Sequence, residues 1–145
     1  FAPEGVTFAP IAFTTTDQLT ATPVDFYLAR VTFEPGASFP VEASDASVTL
    51  VAVESGAITF QFEAAITVTR AATMAAFSTP GVDESAIPAP EEIAAGDEFT
   101  MTAGDSAYFP ANIAGEVRND GQELAVALIA SIEPLEAADA ATPAA

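Results

Sequence analysis

The stretch GDSAYFPANIAGEVRN, residues 104–119, leaves little choice of fold. A Gly-Asp turn runs into a short apolar segment, a Pro-Ala-Asn turn, a second short segment and then Asn119-Asp120-Gly121. The turn residues tolerate positive φ or preset it, and each segment is too short for a helix. That is the grammar of a tightly wound β-barrel or sandwich.

The rest of the chain repeats the pattern. Residues 24–34 alternate, with Tyr27, Ala29, Val31 and Phe33 on one face and Asp25, Arg30 and Glu34 on the other or at the ends. Pro35-Gly36 suits a type II turn, and residues 37–45 read as a loop or irregular strand. Residues 46–53 read as a strand closed by Glu54-Ser55-Gly56, with residues 57–62 folding back on it as a hairpin. Further strands are predicted at 65–70, 98–102, 106–109 and 115–118. The nearly continuous apolar run 123–132 predicts a central strand buried on both faces. No helix of more than a turn or two is expected.

Three segments depart from this rhythm. Residues 1–23 form an N-terminal arm punctuated by Pro3, Pro10 and Pro23, with short edge strands predicted at Val6-Thr7-Phe8 and from Ile11 to Thr14. Such an arm either folds back on its own barrel or adds to a neighbour's sheet edge. Residues 71–95 form an acidic, proline-rich insertion loop, read as a solvated excursion, a lid or an interaction loop. Residues 134–145 form a low-complexity tail, leaving the barrel at 24–133.

Charge and missing residue types narrow the functions. Against 21 acids stand only Arg30, Arg70 and Arg118, so the net charge is −18. A surface of that sign repels phosphate, which makes nucleic acid and anionic membrane poor partners, and neither is expected. It favours cations, and Ca²⁺ held by surface carboxylates is the cofactor left open. Cys and His are both absent. With them go disulfides, thiolate nucleophiles, imidazole ligands and the usual general base near neutral pH. No apolar run is long enough to span a bilayer. The start at Phe1 reads as a processed product whose targeting segment has been removed, and with the Ala/Thr/Pro-rich ends it points to an extracellular or cell-surface location.

Two motifs resemble those of the cupin family. The second cupin motif sets Gly, Pro, Gly, His and Asn at fixed spacing; Gly104, Pro110, Asn112, Gly115 and Asn119 stand at those positions. The first sets Gly, His, His, Glu and Gly; Gly36, Glu42, Ser44, Thr49 and Gly56 stand there. The turn glycines Gly36, Gly56 and Gly104 are kept, and every ligand position is changed. The resemblance spans residues 24–132 and implies an all-β fold, a cupin-like double-stranded β-helix or jelly-roll barrel. It implies no metal chemistry. The degenerate set Glu42, Ser44, Thr49 and Gly115 offers one carboxylate, two hydroxyls and no fourth side chain, which holds a transition metal poorly.

No catalytic residue is assigned. Glu42 as a lone acid or base has no His to pair with, and reads as an exposed loop carboxylate. Tyr27 and Tyr108 read as packing residues with satisfied hydroxyls, and Arg118 as one half of an ion pair on the outer face. The Gly96-Asp97 and Gly104-Asp105 pairs read as turn devices. The resulting expectation is an exported, non-enzymatic structural subunit that self-assembles through its N-terminal arm, as a homo-oligomer or filament. The alternative is a binding module whose barrel lumen takes an apolar molecule or neutral sugar under the 71–95 loop.

Overall fold

A computed structural model describes residues 4–6, 9–18 and 23–135 of the 145-residue chain. Among them the strands are β1 (Val24–Phe33), β2 (Ser38–Val41), β3 (Val48–Ser55), β4 (Ala57–Phe62), β5 (Ile66–Thr69), β6 (Glu91–Ile93), β7 (Glu98–Thr102), β8 (Ser106–Phe109), β9 (Gly115–Arg118) and β10 (Ala125–Pro134). The helix α1 (Ala71–Phe77) and a 3₁₀ turn (Glu84–Ala86) lie between β5 and β6.

The strands make two antiparallel sheets, ordered β1-β10-β3-β8-β5-β6 and β2-β9-β4-β7. The order has a simple origin. β1 pairs with β10, β2 with β9, β3 with β8 and β4 with β7. The first half of the chain therefore lies antiparallel to the second, and this long double ribbon is rolled into two facing sheets. That is a jelly roll. The segment β5-α1-β6 is inserted at the closed end of the ribbon and extends the first sheet beyond β8.

Alternation in the strands sets the core. Ile58, Phe60 and Phe62 of β4 and Phe99 and Met101 of β7 point inward and are buried, whereas Gln61, Glu98 and Thr100 face out. Opposite them lie Phe33, Val51, Val53, Val68, Ala107 and Phe109 from the first sheet. Asn119 sits beneath the β9–β10 connection. Its side-chain N–H groups donate to the carbonyls of Phe33 and Glu123 at 2.9 and 2.8 Å, and its oxygen accepts from Gly121 N at 3.0 Å.

Several expectations are corrected. β3 and β4 do not form a hairpin: β3 pairs with β10 and β8, and β4 with β7 and β9. Gly56 is instead the corner at which the chain crosses between sheets. The loop at 37–45 contains β2. β10 is central, but only its inward residues Ala125, Ala127 and Ser131 are fully buried, because Val126, Leu128, Ala130 and Ile132 lie on an outer face that is only partly covered.

The insertion at 71–95 holds α1, the 3₁₀ turn and β6, because Pro80, Pro88 and Pro90 all fall after α1. Thr73 and Met74 anchor the helix in the interior.

The predicted arm strand at residues 11–14 is absent, and in the other Thr7 and Phe8 lie outside the described residues. The described part of the arm lies on its own barrel. Phe13 packs edge-on against Phe77 of α1, Thr16 shares a 2.7 Å hydrogen bond with the Tyr108 hydroxyl, and the Gln18 side-chain oxygen accepts from Ala111 N. Among the described residues no helix is long and apolar enough to cross a membrane.

Candidate functional site

The space between the sheets is where a barrel of this kind would place chemistry. Phenylalanines fill part of it: the Phe60 ring stacks on Phe99 and on Phe109, each at 5.3 Å, and Phe62 tilts against Phe109 at 4.9 Å. These separations are normal for attractive aromatic contacts. Beside them lies a cavity of about 190 Å³, which Phe60, Phe62 and Phe109 border. Its walls are mainly apolar, including Val31, Phe39, Val41, Val51, Ile113 and Ile129, and its polar atoms come from Tyr27, Asp45, Ser47 and Thr49.

The β2–β3 and β8–β9 loops frame the mouth and are tied together by Asn112. Its backbone N–H donates to Asp45 O at 2.7 Å and its side chain to Ala43 O at 3.2 Å. Asn112 stands at φ 60° in the left-handed region, which Asn adopts more readily than other side-chain-bearing residues. This explains why Asn can stand where the cupin motif has Gly. Asp45 in turn accepts from the backbone N–H and hydroxyl of Ser47, which fixes the loop.

The four degenerate ligand positions do not converge on the cavity. Glu42 and Ser44 are exposed in the loop after β2. Thr49 alone lines the cavity, and its hydroxyl pairs with that of Ser131 at 2.7 Å. Gly115 lies against Phe62, and a Cβ there would overlap the ring and stand 2.5 Å from Gln61 O. Among the described residues no three carboxylates are grouped so as to hold a metal ion, so the open expectation of Ca²⁺ gains no site.

No residue of 71–95 lines the cavity. A lumen lined by Phe, Val, Ile and Thr is what the sequence led one to expect, but not which phenylalanines border the cavity, because an inward Phe looks the same whether it fills a barrel or borders a pocket.

All three arginines are paired with carboxylates. Arg30 holds Glu54 through two bonds of 2.6 and 3.2 Å, which lowers the Glu54 pKa. Arg70 bridges Glu91 at 2.8 Å and buried Asp105 at 3.0 Å, and its hydrogen bond lowers the Glu91 pKa. Arg118 lies outside the barrel against Asp120 and Glu98, which push its pKa further up. Tyr108 serves the arm through Thr16, not the lumen.

The two outer faces differ sharply. The four-stranded sheet shows Gln61, Glu98, Thr100, Glu116 and Arg118. The six-stranded sheet shows Phe26, Leu28, Leu50, Leu128, Ala130 and Ile132. The arm lies over the part of that face near Leu50 and Tyr108. Phe26 and Leu28 remain 69% and 68% exposed.

The strand order and the two motifs make this chain a cupin-like jelly roll. No family model and no curated protein matches it. Among solved structures, Drosophila melanogaster CENP-C bound to CAL1 is similar at 12% identity and TM-score 0.41, over 77% of this chain and 75% of that one. The cumin domain of Drosophila melanogaster CENP-C is similar at 12% identity and TM-score 0.32, over 83% and 71%. Likeness at this level assigns neither a site nor a partner. The expected extracellular or cell-surface location is withdrawn, because it rested only on the start at Phe1 and the composition of the chain ends. Ala, Thr and Pro at chain ends do not define a compartment by themselves.

Proposed function

We propose that the chain is a non-catalytic, cupin-like domain that works by associating with copies of itself. The observation that supports this is the apolar outer face of the six-stranded sheet, left open at Phe26 and Leu28 while the opposite face is polar. An uncovered apolar sheet face is a docking surface by default. The interior supports the same reading, because the positions where cupin ligands would stand hold an exposed carboxylate, hydroxyls and a glycine packed on Phe62.

The test is the native mass by light scattering across protein concentration, with and without millimolar Ca²⁺. Reversible growth in mass with concentration is the expected result. A monomer at every concentration and in both conditions overturns it. A mass that grows only with Ca²⁺ replaces the apolar face by carboxylate bridging.

A second reading rests on the cavity. At about 190 Å³ it exceeds apolar cavities of about 150 Å³ that admit benzene. Its walls are mainly apolar, and the hydroxyls of Ser47 and Thr49 are already bonded to Asp45 and Ser131, which favours a small apolar molecule over a sugar. A saturable rise in melting temperature with benzene or indole supports this reading, and no shift at saturating probe overturns it.

A further inference from the structure

Resting on the reading of self-association, we propose that the partner surface is the free edge of β1, and that two copies pair their β1 strands antiparallel about a twofold axis to form a closed dimer. The four edges of the two sheets are unequal. β6 has three residues, two of them Glu91 and Glu92. β2 has four and carries Pro40, which cannot donate to a ladder. β7 has five and opens with Glu98. β1 runs for ten residues without Pro, in unbroken register with β10, and among the described residues nothing pairs with its other side. Shortness, Pro and charge are how edges are kept from pairing; β1 is the longest of the four, has no Pro, and its one acid, Asp25, lies on the inward-facing side of the strand.

Charge selects a second copy as the occupant. On a chain of net charge −18, self-repulsion keeps copies apart wherever acids face each other. The outward side chains of β1 are Val24, Phe26, Leu28, Arg30 and Thr32, with no acid among them. The nearest outward acid on β3 is Glu54, which Arg30 neutralises. This is where two such molecules approach at least cost. A basic partner would find its complement elsewhere, on the Glu98 and Glu116 face or the loops.

Register follows from facing. Opposed residues in an antiparallel pair share a face, so the axis passes through one residue facing its own copy. Centring on Leu28 pairs Val24 with Thr32 of the second copy, uses nearly the whole strand, and sets Phe26 beside the second copy's Arg30. The main-chain groups of both edges are then satisfied in one step, and the axis closes the assembly.

The test uses the full chain with Leu28→Glu and Leu28→Lys made separately. Leu28 is exposed, so both variants are expected to fold, which an unchanged far-ultraviolet dichroism spectrum checks. Because residue 28 faces its own copy, either charge weakens the dimer, with a dissociation constant raised by at least about tenfold. Mixing the two variants restores it as a heterodimer. Added salt tightens the wild-type dimer by screening repulsion, whereas a contact between opposite charges would loosen.

Wild-type oligomers untouched by either substitution, or open filaments, overturn the β1 pairing while leaving self-association standing. A wild-type monomer overturns both. If both variants dissociate but their mixture stays monomeric, the twofold register is wrong.

Discussion

The ring of Phe62 occupies the space that a side chain at Gly115 would need. Gly115 opens β9 opposite Phe62 on β4, at the position where the cupin motif that it resembles has a ligand His, so aromatic packing stands where that motif would place a polar side chain. Gly115→His is therefore expected to destabilise without creating a metal site. The new Cβ would also crowd the Gln61 carbonyl, and overpacking of this kind costs about 1–3 kcal/mol. Urea unfolding gives the loss, and titration with Ni²⁺ checks that no tight binding appears. Tight binding would mean that Glu42, Ser44 and Thr49 can converge after all.

Asp105 is the node that holds the insertion to the barrel. One oxygen accepts from Ala71 N, at the start of α1, and the other from Thr102 N and the Arg70 guanidinium, at 2.9, 3.0 and 3.0 Å. Asp105→Ala would leave those donors unpaired in a buried place and is expected to cost about 2–4 kcal/mol in urea unfolding. Asp105→Asn keeps the shape and one acceptor, and should cost less. Equal losses would mean that the charge matters more than the hydrogen bonds.

Glu91 supplies a pH signature. The hydrogen bond from Arg70 holds its folded pKa below the unfolded value. Its contribution is therefore present above the ordinary glutamate range and disappears as pH falls through the folded value. Protonation also relieves self-repulsion, so the total trend mixes two effects and the comparison must be with Glu91→Gln. Melting temperatures between about pH 6 and about pH 3 should show the gap between wild type and variant closing as the solution becomes acidic. A constant gap would place the role of Glu91 in packing.

Much of this architecture was legible in the alternation of β1, β4 and β7, because an inward–outward period of two survives any topology. The spacing from Gly104 to Asn119 likewise marked a loop that Asn112 now ties to Asp45 and Ala43. Partnership between strands was not legible. Glu54-Ser55-Gly56 has the composition of a hairpin turn, and composition does not say whether the next strand pairs with the last or crosses to the other sheet. α1 was hidden by prolines that follow it, and the arm by β-branched residues that lie flat without pairing. The cavity was beyond reach for a different reason. Its volume depends on how closely the phenylalanines that border it pack together, which is a property of packing in three dimensions.

Gly56 turns that misread corner into a measurement. It stands at φ 73°, and a Cβ would lie 2.5 Å from Leu124 O and 2.7 Å from the Ala125 Cα. Both contacts are to backbone, at the point where β10 begins, so neither can rotate away. Gly36 provides the control, since it has φ 81° but nothing within 4 Å of its Cβ position. Gly36→Ala should cost only the left-handed strain, about 1–2 kcal/mol. Gly56→Ala adds an overlap with the backbone at the start of β10, and is expected to cost about 2–4 kcal/mol. If urea unfolding gives the two variants equal losses, the close approach at the corner relaxes freely. If Gly56→Ala is the weaker by a kcal/mol or more, the crossing between sheets is as rigid as the β1–β10 pairing beside it requires.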